Sequence, residues 1–405
     1  MEKAATVVLE GRLEVKNMVN LQKLPTAPDQ QLKNLQWNWM LGEDTMPYIT
    51  DDMVTVSEKE AEAYYKAGEE LYDMFVQAAQ YVIDKKLYAQ LGIPSNLEKM
   101  IYHSWEEDHL HLYGRFDLAG GIDGQPIKLI EFNADTPTAI PETGIVQWAH
   151  LKANGMDDTK QFNNLYESLT NHFRRLLGRH PQRDPSILFT TIEGSPEDDT
   201  NVSVLLEAAR EAGFDADFHY IHQVEFSPEE GIFIENNAGE YYRYDFCFKL
   251  VPWEYIGLEE PDLAKILTSI TENDLAVIVN PAYTILFQSK GILKVLWDLF
   301  PHHPLLLETR DRKLNFKQQV EKVMFGREGA NVKILNERGL VTEELAGEYD
   351  FYDKIYQEYT EFPKDSHGNY YQAGLFFTYE ACSLGYRRGG RILGNTAQFT
   401  GHIIK

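Results

Sequence analysis

The sequence predicts an α/β (α+β) protein with an open-sheet βαβ unit near its middle. Three observations predict it. Residues 187–190 form a short apolar run, 201–212 a helical pattern ending at Gly213, and 214–220 a second run. That strand–helix–strand rhythm belongs to a parallel sheet. Residues 114–118 and 127–136 alternate apolar and polar side chains around Gly120, Gly121, Asp123 and Gly124, the pattern of a two-stranded hairpin. Finally, 405 residues with 43% hydrophobic and 25% charged side chains can bury the cores of two or three cooperating domains.

From the amino end, the apolar run within residues 1–10 is too short for a signal peptide. Leu24-Pro25-Thr26-Ala27-Pro28 reads as an extended connector, with Trp37, Trp39 and Met40 as packing anchors. Ser57 and Glu60 make a capping-box pattern. It opens a long helix with Leu71, Met74, Phe75, Ala78 and Val82 on one stripe, expected to end near Lys86. A second helix is expected over 96–107. His103, His109 and His111 lack a partner pair at zinc-ligand spacing, so they read as surface groups or as neighbours behind a site.

The hairpin is the most chemical element. Arg115 and Asp117 share one face of its first strand, Glu131 and Asn133 one face of its second, while Phe116, Leu118, Ile130 and Phe132 take the other faces. Two carboxylates and an amide are hard ligands that suit Mg²⁺, and an arginine fork suits a phosphoryl group. A solvated polar face is the ordinary alternative. The acidic turn 193–199 follows the first βαβ strand, where open sheets bind ligands. Its acids also suit a helix start. Further on, a hairpin turning at 236–239 is read with 244–250 as its return strand, and 275–279 as a buried strand. Lys290 precedes a helix carrying Ile292, Leu293, Leu296 and Leu299, a place that hints at an anion. Residues 320–325, 326–329 and 330–334 read as strand, glycine-bounded turn and strand.

The run Gly-Arg-Phe-Asp, a turn, then Lys-Leu-Ile-Glu-Phe-Asn-Ala-Asp-Thr-Pro-Thr resembles the metal motif of glutathionylspermidine synthase-type ligases. That family implies the ATP-grasp fold of the glutathione synthetase-like branch, in which the metal motif precedes the nucleotide lysines. It implies a ligase that uses ATP and Mg²⁺ to join a peptide carboxylate such as glutathione to a polyamine such as spermidine through an acyl-phosphate. Carried over position by position, the resemblance assigns the metal to Asp117, Glu131 and Asn133, and transition-state support to Arg115. It assigns ATP contacts to Arg115, Asp117, Lys322, Arg327, Gly329, Gln357, Glu358, Tyr359 and Arg391, to which the helix-start position adds Lys290. Peptide contacts fall on Thr136 and Thr138, and amine contacts on Glu197 and Asp198, with Asp199 a rival. Val323 stands where the family often has proline. Residues 387–391, Arg-Arg-Gly-Gly-Arg, read as a basic loop that the family closes near the triphosphate.

The implied division is about 1–185 with helices and the metal hairpin, 186–275 as substrate subdomain and 276–405 as nucleotide subdomain. The family's bifunctional members carry a cysteine amidase before the synthetase. With no cysteine before Cys247, that domain is expected to be absent here. Cys247 and Cys382 read as core thiols of a reducing, cytoplasmic setting. A formal charge of −25 disfavours nucleic acid and anionic membranes and favours a cationic substrate. No segment has the roughly 18 apolar residues of a membrane span. The remaining rivals are the same chemistry on another peptide or amine, and a catalytically lapsed polyamine- or nucleotide-binding protein.

Overall fold

The computed structural model describes residues 18–42, 47–236 and 238–405. The expectation on residues 1–10 lies outside them. The capping box forms as the sequence predicts: the Ser57 hydroxyl accepts from the Glu60 amide, and the Glu60 carboxylate accepts from the Ser57 amide. The helix it starts, Glu58–Lys85, buries Tyr64, Leu71, Met74, Phe75, Ala78 and Val82. The second helix is Glu98–Glu106.

Two five-stranded antiparallel sheets dominate the remainder. One has the order Gln398–Thr400, Ala381–Gly389, Tyr370–Phe377, Gly114–Ala119, Lys128–Asn133. The predicted hairpin is therefore the edge of a sheet completed by strands from the far end of the chain. Its register pairs Arg115 with Asn133, Phe116 with Phe132 and Asp117 with Glu131. Phe116 and Phe132 stack at 3.9 Å, and Phe75 of the long helix meets Phe132 edge-on at 5.0 Å. Burial of this aromatic face fixes which way the polar face points, because strand side chains alternate. The second sheet has the order Thr309–Arg310, Lys354–Glu358, Gln319–Val323, Val332–Leu335, Val341–Leu345. It contains the predicted glycine hairpin and the strand before Tyr359.

The βαβ unit is present within a four-stranded parallel sheet, ordered Val277–Val279, Phe246–Lys249, Ser186–Thr190, Asp215–Phe218. A small antiparallel sheet, Val224–Ser227, Gly231–Glu235 and Tyr241–Tyr244, sits beside it. A mixed three-stranded sheet joins Leu21–Lys23, Asp52–Val56 and His402–Ile404, closing the described chain ends onto each other.

Four details differ from the sequence reading. The βαβ helix is Pro196–Ala212, five residues longer at its start than expected, because Ser195 caps it and Pro196 occupies its first turn. The stretch 244–250 is not one return strand. It breaks at Asp245, leaving Tyr241–Tyr244 in the antiparallel sheet and Phe246–Lys249 in the parallel one. Arg387 and Arg388 are not in a loop but in the strand Ala381–Gly389. His111 is buried rather than superficial. Its ring contacts the Ala134 carbonyl at 2.9 Å and the Tyr72 hydroxyl at 3.2 Å, and burial pushes its pKa down to about 4. It is a core histidine held neutral near pH 7.

Candidate active site

The polar hairpin face and the second sheet enclose a cavity of about 600 Å³. Sixteen residues assigned to the site from the sequence line it: Arg115, Asp117, Glu131, Asn133, Thr136, Thr138, Glu197, Asp198, Lys290, Lys322, Arg327, Gly329, Gln357, Glu358, Tyr359 and Arg391, whereas the rival Asp199 does not and accepts from the Tyr220 hydroxyl at 3.1 Å. The lining residues come from both large sheets and the first turn of the βαβ helix, and the topology brings them together.

On one wall the cations already hold partners. Arg115 donates through Nε to Asp117 Oδ1 at 2.7 Å and through Nη2 to Oδ2 at 3.2 Å, while its Nη1 reaches the Thr138 carbonyl at 2.8 Å. Asn133 Nδ2 donates to the same Asp117 at 3.2 Å. Lys290 Nζ lies 3.4 Å from Glu131 and 2.8 Å from the Gly326 carbonyl. Lys322 Nζ donates to Gln357 Oε1 at 2.8 Å and to the Ile130 carbonyl at 3.3 Å. Burial alone would raise the Glu131 carboxyl, but Lys290, Lys322 and Arg115 outweigh it and hold it below the usual range. Burial, opposed by Glu131 and reinforced by Lys290, pushes the Lys322 ammonium down to about 8.

This wall can take a divalent cation. Asp117, Glu131 and Asn133 set two carboxylates and an amide on one face at adjacent register positions. Among the described residues no group of three or more His, Cys, Asp or Glu stands ready for a metal, and this wall supplies two carboxylates. Such a set fits Mg²⁺, which retains waters and takes phosphate oxygens alongside one or two carboxylates. It fits zinc poorly, for want of nitrogen or sulfur ligands.

The glycine turn forms another edge. Gly329 has φ +69°, and a Cβ there would lie 2.6 Å from the Leu393 carbonyl, so a side chain is excluded. Arg327 Nη2 pairs with Glu254 Oε1 at 2.5 Å. Glu358 pairs with Lys317 at 3.0 Å, and Arg391 donates to the Tyr359 hydroxyl at 3.2 Å and pairs with Glu343 at 3.3 Å.

Another part of the lining is acidic. Glu197 and Asp198 occupy the first helical turn, where the Ser195 hydroxyl accepts from the Asp198 amide. Burial first, then Asp198, raises the Glu197 carboxyl, and burial chiefly raises Asp198. Behind them lies Glu142, fully buried and accepting from the Tyr48 hydroxyl at 2.7 Å. Burial and then Glu197 push the Glu142 carboxyl up to about 7. Its Oε2 has no partner among the described residues.

The sequence reading missed several lining residues: Trp39, Tyr48, Gln372 and Arg387. Trp39, a packing anchor by sequence, also lines the cavity, and its indole donates to Thr200 Oγ1 at 2.9 Å. Arg387 belongs to the basic run noticed in the sequence and is brought to the cavity by strand pairing of 381–389 with 370–377. Tyr48 and Gln372 carry no local signal.

Comparison with known proteins gives a consistent result. The family model described as "Glutathionylspermidine synthase preATP-grasp" matches residues 20–405. A Haemophilus influenzae protein, provisionally named an acid–amine ligase, is 29% identical over 404 residues, covering 96% of this chain and all of that relative. The bifunctional glutathionylspermidine synthetase/amidase of Escherichia coli is 25% identical over 394 residues, 90% of this chain but 60% of that relative. The trypanothione synthetase of Crithidia fasciculata is 23% identical over 321 residues, 72% of this chain and 47% of that relative. Thus the chain spans about half to three-fifths of these longer relatives. In fold it is similar to a glutathione synthetase-like effector of Globodera pallida, with a TM-score of 0.55 at 10% identity over 94% of this chain and 99% of that one. The fold is accordingly the glutathione synthetase-like form of ATP-grasp, and the chain belongs to the glutathionylspermidine synthase family.

Proposed function

We propose that this carboxylate–amine ligase uses ATP and Mg²⁺ to join a peptide carboxylate to a polyamine through an acyl-phosphate. One observation carries the reading: a single cavity lined by a cation-and-carboxylate cluster, by an acidic helix turn and by a glycine turn joining two strands of the second sheet. The cluster suits a polyphosphate, the acidic turn a polycation.

In this reading Asp117, Glu131 and Asn133 would hold Mg²⁺, which supplies charge neutralisation to phosphate oxygens when bound. Lys290, Lys322, Arg327 and Arg391 bind the triphosphate, and the backbone near Gly329 admits it closely. Gln357, Glu358 and Tyr359 line the adenine and ribose. Thr136 and Thr138 orient the peptide. A peptide carboxylate oxygen attacks the γ-phosphorus and ADP leaves. Arg115 stabilises charge on the moving phosphoryl group. The amine, drawn in by Glu197 and Asp198, then attacks the acyl carbon, and inorganic phosphate departs as the amide forms. No protein nucleophile enters this sequence, and Cys247, buried and pushed up to about 12, is unsuited to be one.

Among the described residues no helix is long and apolar enough to cross a membrane. The test is mass spectrometry after incubation with ATP, Mg²⁺ and a pool of short peptides and polyamines. The expected result is ADP together with a conjugate whose mass is peptide plus amine minus water. ATP binding with no conjugate from any pool member would favour the lapsed-binder reading instead.

A further inference from the structure

We propose that Glu254 is a positioning residue for ATP, acting through Arg327, and this rests on reading Arg327 as a triphosphate contact. Arg327 lines the cavity, whereas Glu254 stands behind it, 5% exposed, with Oε1 on Arg327 Nη2 at 2.5 Å. A guanidinium has five N–H donors in a fixed plane. Engaging Nη2 from behind leaves Nε and Nη1 to face an anion and removes the freedom to turn away.

The two partners differ in how firmly they are held. Arg327 sits in the turn between Gly326 and Gly329. Glu254 follows the fully buried Trp253, whose amide donates to Asp135 Oδ2 at 2.8 Å and whose indole donates to the Asn280 carbonyl at 3.1 Å. Lys249 pairs with the same Asp135 at 3.0 Å and lies 3.9 Å over the Trp253 ring. Asp135 lies two residues beyond the hairpin strand Lys128–Asn133. Glu254 is thus fixed to the end of the hairpin that would hold the metal, and it ties the glycine turn to that frame. Its Oε2 is buried with no partner among the described residues, so Arg327 is the counter-charge its side chain meets.

The experiment is a double-mutant cycle on the full chain with Glu254→Gln and Arg327→Ala, reading the Kd for Mg-ATP by calorimetry and the melting temperature of each variant. Glu254→Gln keeps the shape and loses the charge. It should weaken ATP binding roughly five- to tenfold, the scale of exchanging a charge-assisted hydrogen bond for a neutral one. In the Arg327→Ala background the same change should alter the Kd by less than about twofold, since Glu254 acts only through the arginine. A purely structural role predicts equal losses in both backgrounds, tracking melting temperature, and that result would overturn the proposal. So would an unchanged Kd in Glu254→Gln while Arg327→Ala binds ATP weakly. An unchanged Kd in Arg327→Ala refutes the reading of Arg327 itself, and the proposal with it. Should Arg327→Ala fail to fold, Arg327→Lys, which keeps the charge and loses the fork, takes its place in the cycle.

Discussion

The two walls of the cavity handle buried charge in opposite ways. On the hairpin wall each carboxylate has a cation beside it, Asp117 with Arg115 and Glu131 with Lys290, and Glu131 is held ionised despite burial. On the acidic wall Glu197 and Asp198, with Glu142 behind them, interact with one another, and all three are pushed upward. The first arrangement is neutralised by the protein and can exchange partners with a polyanion and its metal. In the second, Arg387 near Glu197, Arg327 near Asp198 and Arg115 near Glu142 offset the charge only in part, burial prevails, and a cation from outside would relieve it further. Charge pairing thus suggests where nucleotide and amine belong, in a chain whose overall charge of −25 says only that a cation is welcome.

The largest expected effect tests the paired wall. Arg115→Ala should lower kcat roughly 10²- to 10³-fold, the usual scale for losing a donor aimed at developing charge, while Mg-ATP affinity changes far less. Steady-state kinetics beside calorimetry separate the two. A change confined to the KM for ATP would make Arg115 an ordinary binding residue.

Glu142 offers the next test, on the unpaired wall. A carboxyl raised from the ordinary 4.5 to about 7 keeps its proton longer in the folded than in the unfolded state. The folded state therefore binds more protons between those values, and stability falls as pH rises through that window. The loss approaches roughly 3 kcal/mol once pH exceeds 7. Glu142→Gln, which cannot ionise, should melt at a higher temperature than the parent at pH 8 and near the parent at pH 4.5. Equal melting shifts at both pH values would show that Glu142 finds its counter-charge within the protein.

The smallest effect concerns the amine. Glu197→Gln combined with Asp198→Asn should raise the KM for a triamine, each lost charge being worth on the order of 1 kcal/mol near a surface. The KM for ATP should hardly move. Phosphate release at increasing salt should show the difference shrinking, because half-exposed charges are screened over about 8 Å at physiological ionic strength. An unchanged triamine KM would reduce the acidic turn to a helix cap.

Much of the paired wall was legible in sequence because a strand has period two. Once Phe116 and Phe132 are placed in the core, Arg115, Asp117, Glu131 and Asn133 must share the other face. The glycine turn was legible for a similar local reason. The acidic wall was less so. Its helix starts at Pro196 because Ser195 and Pro196 supply cap and first-turn signals, yet the apolar stripe used to place the helix begins only near Val202. Trp39, Tyr48 and Arg387 arrive through contacts between distant segments, as when Asp52–Val56 pairs with His402–Ile404. Periodicity cannot register such pairings. Of the two readings of His111, a surface group or a neighbour behind the site, the sequence could not choose the second, because its partners Tyr72 and the Ala134 carbonyl lie far from it in the chain.

The central claim is that the peptide carboxylate is phosphorylated before the amine attacks. Its most direct test uses a peptide substrate with ¹⁸O in the reacting carboxylate, incubated with ATP, Mg²⁺ and amine, and mass analysis of the released phosphate. Attack of that carboxylate on the γ-phosphorus moves one labelled oxygen into each phosphate released. One ¹⁸O per inorganic phosphate, formed in step with the amide, is the predicted result. Amide formation with unlabelled phosphate would contradict the account.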